Sequence, residues 1–298
     1  MEIGEFHRAY LRTNGYFCPG SIAADIKHLN IDSMEEDYIA INRQSWNDRT
    51  QWHLRSDFYD LPGFLAGNTS LNGIELALLG DVRGKSILHL QCHFGQDSIS
   101  LARMGADVTG VDLSDQAIGS ARELAQQAGV AAEFVCCDVY DLPAHLDRQY
   151  DIVFTSYGTI VWLPDLDRWA EVISRFLKPG GTFIFVEFHP VVWMFDDNFE
   201  KVAYNYFNKE AIIETSDGTY ADRDADIAGQ TVTWNHNFGE VLTSLLKNRL
   251  ELLSFDEYDY SPYNCFNKTV EIAPGQFRIA HLEDKIPMVY ALKARKKA

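Results

Sequence analysis

The sequence predicts an α/β protein built on a doubly wound, mostly parallel sheet. Residues 87–90, 108–111 and 134–137 are short and uniformly apolar, as buried strands are. The segments between them have the 3.6-residue period of helices. Strands that alternate with helices pair in parallel and carry helices on both faces. In such a sheet ligands bind at the carboxyl ends of the strands, where the strand order reverses.

Composition limits the class of partner. The net charge of −17 argues against nucleic acid and anionic membranes, because binding to phosphates depends on Lys and Arg. No apolar run reaches the roughly 18 residues that span a bilayer. The start MEIGEFHRAY has no basic-then-apolar leader, so we expect a cytoplasmic protein. The five cysteines, with Cys136 beside Cys137 in a predicted strand, are typical of core residues and not of a disulfide framework.

The organisation follows from the order of the patterns. Residues 1–80 show no strand alternation, and we predict a helical N-terminal cap with helices at 36–52 and 71–79. Residues 81–298 are predicted to form one ligand-binding domain that contains the whole sheet. Within it, residues 189–235 are too long for a simple connection, and we expect an irregular insertion after the fifth strand that covers the substrate.

The remaining elements of the predicted domain continue the alternation. LysProGlyGly at 178–181 stops the last helix before the fifth strand. The predicted strands are 150–156, 182–188, 252–258 and 287–294, and the predicted helices are 96–104, 116–128, 165–177 and 241–250.

Polar residues follow the first three strands at the predicted binding edge. After Leu90 the chain must turn tightly, and Gly95 supplies the backbone freedom for a ligand to approach the next helix. Asp112 at the tip of the second strand can accept hydrogen bonds from both hydroxyls of a ribose. Asp138 after the third strand can accept one from an exocyclic amine such as that of adenine. The pattern indicates a nucleoside site.

The ordered set VTGVDLS, the helix at 116–128, CCDVYDLP, YDIVFTSYG and LKPGG resembles class I S-adenosylmethionine-dependent methyltransferases over about residues 84–190. The resemblance implies a Rossmann-like, seven-stranded sheet with an antiparallel edge, S-adenosyl-L-methionine as cofactor, and methyl transfer to an O, N or C atom of a small molecule. It implies a first turn around the methionine part, Asp112 at the ribose and Asp138 at the adenine. The implied cofactor-binding residues are Gln91, Cys92, His93, Gly95, Asp112, Leu113, Asp138, Val139, Ser156 and Tyr157.

The turn after the first strand departs from this family. Where the family has an acid and then Gly-x-Gly-x-Gly, this chain has His89, Gln91, His93 and Gly95. The side chains of Gln91 and His93 must point away from the cofactor or replace lost backbone contacts, and the holder of the methionine amine stays open. A degenerate, non-catalytic scaffold is therefore an alternative.

A dinucleotide-binding protein and a zinc-binding protein would each share part of this pattern. A dinucleotide-binding oxidoreductase would explain Asp112 equally well, but it explains CCDVYDLP and LKPGG poorly and requires a glycine-rich turn. His89, Cys92 and His93 are possible zinc ligands by type. No CxxC partner accompanies them, so we predict no metal site.

Catalytic and acceptor-binding residues are predicted at the same edge. His189 in GluPheHisPro is the first candidate for a general base, with His236 and His53 behind it, and a structural hydrogen bond is the alternative role for His189. Tyr157 is a second catalytic candidate. Residues 218–226 are expected to form a solvated surface turn. Aromatic side chains predicted around the acceptor are Trp162, Trp193 and Tyr206, within a wider set of Trp46, Tyr59, Tyr204 and Trp234. The oligomeric state is not indicated.

Overall fold

The computed structural model describes residues 31–297, so residues 1–30 of the predicted cap lie outside the described part. No helix within residues 31–297 combines the length and apolar character needed to cross a membrane. The helices are α1 (Ile31–His53), α2 (Leu61–Leu65), α3 (Gly73–Leu79), α4 (Gln96–Arg103), α5 (Asp115–Gln127), α6 (Leu142–His145), α7 (Leu166–Phe176) and α8 (Phe238–Lys247). The strands are β1 (Ser86–Leu90), β2 (Asp107–Asp112), β3 (Glu133–Cys136), β4 (Tyr150–Ser156), β5 (Leu177–Phe188), β6 (Ile212–Asp217), β7 (Ala228–Thr233), β8 (Leu250–Tyr258), β9 (Thr269–Ala273), β10 (Gln276–Ile279) and β11 (Val289–Lys296).

A seven-stranded sheet in the order β3-β2-β1-β4-β5-β11-β8 forms the centre of the protein. The pairs β1–β2, β1–β4, β2–β3 and β4–β5 are parallel, whereas β11 is antiparallel to both β5 and β8. The predicted fold class is therefore confirmed, including the antiparallel edge made by the late strands. The strand order reverses between β1 and β4, and parallel sheets bind ligands beyond the carboxyl ends of the strands at such a point.

Alternate residues of each strand belong to different layers, because successive side chains in a strand point to opposite faces. On β5, Phe183 and Phe185 pack with Trp169 of α7, with ring centroids 5.5 and 5.3 Å apart. Ile184 between them packs in the opposite layer with Ile87 of β1. All of these side chains are buried. The uniformly apolar strands thus carry helices on both faces, as the sequence indicated.

The insertion differs from the irregular segment that we expected. Within it β6 and β7 form an antiparallel hairpin, from Ile212 opposite Thr233 to Asp217 opposite Ala228. A second antiparallel hairpin, formed by β9 and β10, lies in the sequence between β8 and β11 and was also missed. Most residues of β6 and β9 are exposed, so neither strand has the buried apolar run from which the other strands were predicted.

The N-terminal helix α1 holds the insertion hairpin in place. Asn42 is buried at 2 % exposure, donates from Nδ2 to the carbonyl of Val232 at 2.8 Å, and accepts from the Val232 amide at 2.9 Å. The Asn42 side-chain amide thus has a partner for both its NH₂ group and its oxygen. If the helix and the hairpin separated, these buried polar groups would lose their partners, so the contact is specific. The hairpin is also joined to the loop after β4 through the Trp234 amide and the Val161 carbonyl at 2.8 Å.

Gly110→Ala is expected to lower the melting temperature. The added Cβ would lie 2.8 Å from Phe134 Cδ1 and 2.9 Å from Cys92 Sγ, and overpacking of this kind costs roughly 1–3 kcal/mol. Gly119→Ala in α5 is the matched control, since a Cβ there meets nothing within 4 Å. It should raise the melting temperature because Ala favours a helix over Gly by about 1 kcal/mol. Thermal unfolding followed by circular dichroism measures both, and an unchanged Gly110→Ala protein would contradict the packing described.

Candidate functional site

A cavity of about 970 Å³ opens at the carboxyl ends of the parallel strands. It is lined by the turns after β1, β2, β3 and β4, by α1, and by residues of the insertion. Every cofactor-binding residue implied by the resemblance lies on its wall. Those residues are Gln91, Cys92, His93, Gly95, Asp112, Leu113, Asp138, Val139, Ser156 and Tyr157.

The turn after β1 keeps the backbone of a glycine turn without two of the glycines. Gln91 has φ 54°, His93 has φ 51° and Gly95 has φ 80°, so all three residues are left-handed. For a residue other than glycine this conformation costs roughly 1–2 kcal/mol. Such strain persists only where neighbouring groups fix the backbone, and it is concentrated at functional sites.

Asp112 supplies part of that restraint. Its Oδ2 accepts a hydrogen bond from the His93 amide at 2.8 Å, and its Oδ1 accepts one from the Ser114 amide at 2.9 Å. The carboxylate thereby joins the turn after β1 to the end of β2. Burial raises the pKa of Asp112 to about 6, although the two amides act in the opposite direction. Each oxygen keeps lone-pair capacity for a ligand hydroxyl.

The side chains of Gln91 and His93 hold the turn to its neighbours. Gln91 Nε2 donates to the Thr159 carbonyl at 2.8 Å, in the loop after β4. The Nε2 of His93 lies 2.8 Å from the Nδ1 of His53 in α1. Burial lowers the pKa of His93 well below its usual value and that of His53 to about 3, so both rings are neutral at pH 7. Gln91 Oε1 and His93 Nδ1 are buried and find no hydrogen-bond partner within residues 31–297.

Asp138 lies on the same cavity wall as Asp112. The two segments are in register, because Asp112 pairs with Cys136 across β2 and β3. Asp138 Oδ1 accepts from the Tyr140 amide at 2.7 Å, and burial raises the pKa of this carboxyl group. The two acids thus line one cavity at the ends of neighbouring strands.

Glu187 of β5 fixes the loop after β4 and was not singled out for this role by sequence. It is 1 % exposed and accepts hydrogen bonds from the amides of Thr159 at 2.7 Å and Ile160 at 3.3 Å, and from that of Gly158. Burial raises the pKa of Glu187, against the effect of these donors. The loop follows Tyr157, whose own φ of 50° is left-handed. Glu187 therefore supports the cavity wall from behind.

His189, the first candidate for a general base, does not line the cavity. Its Nε2 lies 2.8 Å from Glu257 Oε1 and its Nδ1 accepts from the Val191 amide at 3.1 Å. Burial lowers the pKa of His189, although Glu257 acts to raise it. Both ring nitrogens are engaged in contacts that fix the end of β5. The geometry supports the structural alternative for this residue.

Some of the other residues predicted to act in catalysis or to bind the acceptor line the cavity, and others do not. Tyr157, Trp162 and Trp193 line the cavity, and the Tyr157 hydroxyl donates to Glu75 Oε2 at 2.8 Å. Tyr206 does not line it, and its hydroxyl accepts from the Phe238 amide at 3.3 Å. His236 also lies outside the lining, with Nε2 2.7 Å from the Leu163 carbonyl. Of the wider aromatic set, Trp46 and Tyr59 line the cavity, and Tyr204 and Trp234 do not.

Some residues of the wall were missed from the sequence. The expectation of a solvated turn at 218–226 is wrong for Tyr220, which lines the cavity with its hydroxyl 2.5 Å from that of Tyr59. Arg49 of α1 lies over the rings of Trp46 and Trp162, 5.5 and 5.7 Å from their centroids. The one sequence feature that pointed to a role for Tyr220 is that an aromatic residue stands within an otherwise charged segment. Asp97 and Tyr263 were also missed.

Comparison with known proteins agrees with this geometry. The family described as "Methyltransferase domain" matches residues 87–181, which run from β1 into β5. These residues form a class I S-adenosylmethionine-dependent methyltransferase domain. A protein named ubiquinone biosynthesis O-methyltransferase from Bordetella avium is 29% identical over 167 residues, which are 55% of this chain and 64% of that protein. One of the same name from Klebsiella pneumoniae is 31% identical over 134 residues, 44% of this chain and 55% of that protein. The chain thus spans less than two thirds of these relatives.

Solved structures share the fold of this methyltransferase domain. An S-adenosylmethionine-dependent methyltransferase from Mesorhizobium loti superposes with a TM-score of 0.52 at 20% identity, covering 78% of this chain and 100% of that one. Another from Clostridium acetobutylicum gives 0.52 at 15% identity and covers 90% and 99%. A geranyl diphosphate C-methyltransferase from Streptomyces coelicolor, solved with S-adenosyl-L-homocysteine, gives 0.51 at 16% identity and covers 74% and 76%.

Gln91→Val is expected to lower the melting temperature by several degrees more than Gln91→Gly. Both variants lose the bond to Thr159, but a β-branched residue at φ 54° is strained whereas glycine is not. The exposed Gln149, which also bonds a carbonyl, is the control, and there Val should be tolerated at least as well as Gly. Thermal unfolding of the four proteins measures the difference. Equal melting temperatures for the two Gln91 variants would contradict a strained turn.

Proposed function

We propose that this chain transfers a methyl group from S-adenosyl-L-methionine to an O, N or C atom of a small molecule. The observation that carries the proposal is that Asp112 and Asp138 line one cavity together with the left-handed turn after β1 and with Ser156 and Tyr157. A nucleoside needs hydrogen-bond acceptors at its base and at its ribose. A methyl donor also needs open space beside its methyl group for the acceptor molecule. The cavity of about 970 Å³ lies at the upper end of the range for ligand pockets.

The residues of the wall fit the cofactor. Asp112 is proposed to accept the ribose hydroxyls with the capacity left by the His93 and Ser114 amides. Asp138 is proposed to accept from the adenine amine, with Val139 against the ring. The buried Gln91 Oε1, which has no partner in the described chain, is an acceptor that awaits a donor on the methionine side.

When bound, the cofactor supplies an electrophilic methyl group on a sulfonium. The chain's own contribution is to hold the acceptor near and in line with that methyl and to exclude water. Aromatic faces favour a nearby cation and a dry site. The Phe, Tyr and Trp residues on this wall are Tyr38, Trp46, Phe58, Tyr59, Phe94, Tyr157, Trp162, Phe188, Trp193, Phe195, Phe199, Tyr220, Tyr263 and Phe266.

Charge on the wall favours a small neutral or cationic acceptor. The acidic residues that line the cavity are Asp60, Asp97, Asp112, Asp138, Asp196, Asp197 and Asp217, against the cations Arg49 and Arg223. A polyanion would be repelled here, which together with the net charge of −17 argues against nucleic acid. Because two relatives are named O-methyltransferases, an oxygen atom is the first type of acceptor to test. A cytoplasmic location stays a prediction.

Helix α1 and the insertion are proposed to cover the acceptor. Asn42 of α1 bonds Val232 of the insertion hairpin, and Tyr59, in the turn that follows α1, contacts Tyr220 of the insertion on the cavity wall. Loops at this edge of the sheet carry specificity in such folds. The proposed substrate-covering role of residues 189–235 therefore rests on their bonds to α1 and on the insertion residues that line the cavity.

Isothermal titration calorimetry tests the proposed function against its alternatives. S-adenosyl-L-methionine and its demethylated product should bind, and a nicotinamide dinucleotide should not. A non-catalytic scaffold would bind the cofactor but leave it unconsumed with a panel of phenols, amines and carbon acids, which mass spectrometry detects. Absence of binding by both sulfur ligands would contradict the proposal.

Asp112→Ala is expected to weaken binding of the demethylated product by at least about tenfold, because buried hydrogen bonds contribute roughly 1–3 kcal/mol each. The variant removes both ribose acceptors and the restraint on the turn. Asp107→Ala, an exposed acid at the other end of β2, is the control and should bind as the unaltered protein does. Calorimetry gives the affinities and melting temperatures show that both variants fold. Equal affinity for Asp112→Ala would show that the ribose lies elsewhere.

A further inference from the structure

Class I methyltransferases have an acidic residue just before the glycine turn that follows the first strand. This chain has a histidine at that position, and its side chain does not supply the negative charge. His89 occupies the position, lies 2 % exposed, and has its Nδ1 2.8 Å from Ser98 Oγ. Burial lowers the pKa of His89 to about 3, so the ring is neutral. A positively charged ligand group at this end of the cavity therefore needs another counter-charge.

Asp97 provides a carboxylate on the same wall. It lies in the first turn of α4, where Oδ1 accepts from Ser70 Oγ at 2.6 Å and Oδ2 accepts a longer bond from Ser156 Oγ at 3.4 Å. No Lys or Arg of residues 31–297 forms an ion pair with it. Burial, followed by the charge of Glu75, raises the pKa of Asp97 to about 6. The carboxylate thus has two hydroxyl donors and no cation beside it within the described chain.

Glu75 adds a second negative charge behind the wall. It is 0 % exposed, and its Oε1 accepts from the amide and side chain of Asn72 at 2.9 and 3.0 Å. Its Oε2 accepts from the Tyr157 hydroxyl at 2.8 Å. Two buried carboxylates with no cation beside them favour a ligand that brings positive charge, because an unpaired buried charge is costly.

Gln91 offers an independent sign of a missing donor. Its Oε1 is buried and unpartnered in the described chain, while its Nε2 is fixed on Thr159. Ser156 and Thr159 belong to one segment, since they flank the bend at Tyr157. The Asp97 carboxylate, through Ser156, and the Gln91 side chain, through its Nε2 on Thr159, therefore contact the same segment on the cavity wall.

We propose that Asp97, together with Gln91 Oε1, holds the ammonium group of the cofactor's methionine part. This inference rests on the proposed function. An ammonium has three N–H donors and one positive charge, which match a carboxylate oxygen, an unpartnered amide oxygen and the local excess of negative charge. The acid missing from the turn is thereby replaced by an acid from the first turn of the following helix.

Calorimetry with two ligands tests the assignment. The ligands are S-adenosyl-L-homocysteine and its deaminated analogue, in which hydrogen replaces the amine. The unaltered protein should bind the analogue at least about tenfold more weakly, as loss of a charge-assisted bond requires. The Asp97→Asn variant keeps an oxygen that can accept the hydrogen bond from Ser70. It should weaken binding of S-adenosyl-L-homocysteine by at least about tenfold. The affinity for the deaminated analogue should change by less than about twofold, because that ligand has no amine for Asp97 to bind.

Asp115→Asn is the matched control, because Asp115 occupies the first turn of α5 and is exposed. It should leave both affinities unchanged. Equal binding of the two ligands by the unaltered protein overturns the inference without any variant, and so does an equal loss for both ligands in Asp97→Asn. In these cases S-adenosyl-L-homocysteine still binds and the proposed function stands. Binding of neither ligand by the unaltered protein overturns both.

Discussion

The carboxylate of Asp112 is the constraint on which the site depends. It accepts hydrogen bonds from the backbone amides of His93 and Ser114, and so joins the turn after β1 to the tip of β2. The turn needs this restraint because Gln91 and His93 occupy left-handed conformations that disfavour side chains. Their side chains then extend the restraint, Gln91 to the loop after β4 and His93 to α1. Hydrogen bonds therefore connect the strained turn after β1 to helix α1, to the loop after β4 and to the end of β2.

Electrostatics and shape of the cavity point to the same kind of ligand. Carboxylates on its wall outnumber guanidinium groups, and Asp97 and Asp112 both have a pKa raised to about 6 by burial. Buried acids without cations favour a ligand with positive charge, and aromatic faces favour a sulfonium for a different physical reason, the ring quadrupole. The bonds between Asn42 and Val232 hold together α1 and the insertion, and both segments contribute residues to the cavity wall.

The sequence predicted the parallel strands and the cavity wall because both follow from simple rules. Buried strands are uniformly apolar, and the ends of parallel strands meet at one edge. The β6–β7 hairpin was missed because its residues are largely exposed. His189 was placed at the correct edge, but strand position alone does not reveal that its ring nitrogens bond Glu257 and Val191. Asp97 was missed because an acid in the first turn of a helix is already explained by the helix dipole.

A crystal structure of the protein with S-adenosyl-L-homocysteine tests the central claim most directly. The account predicts density in the cavity with the ribose hydroxyls on Asp112 and the adenine amine on Asp138, and with the turn from Gln91 to Gly95 around the amino acid part. Density that leaves both carboxylates without ligand contacts, or that lies outside this cavity, would contradict it.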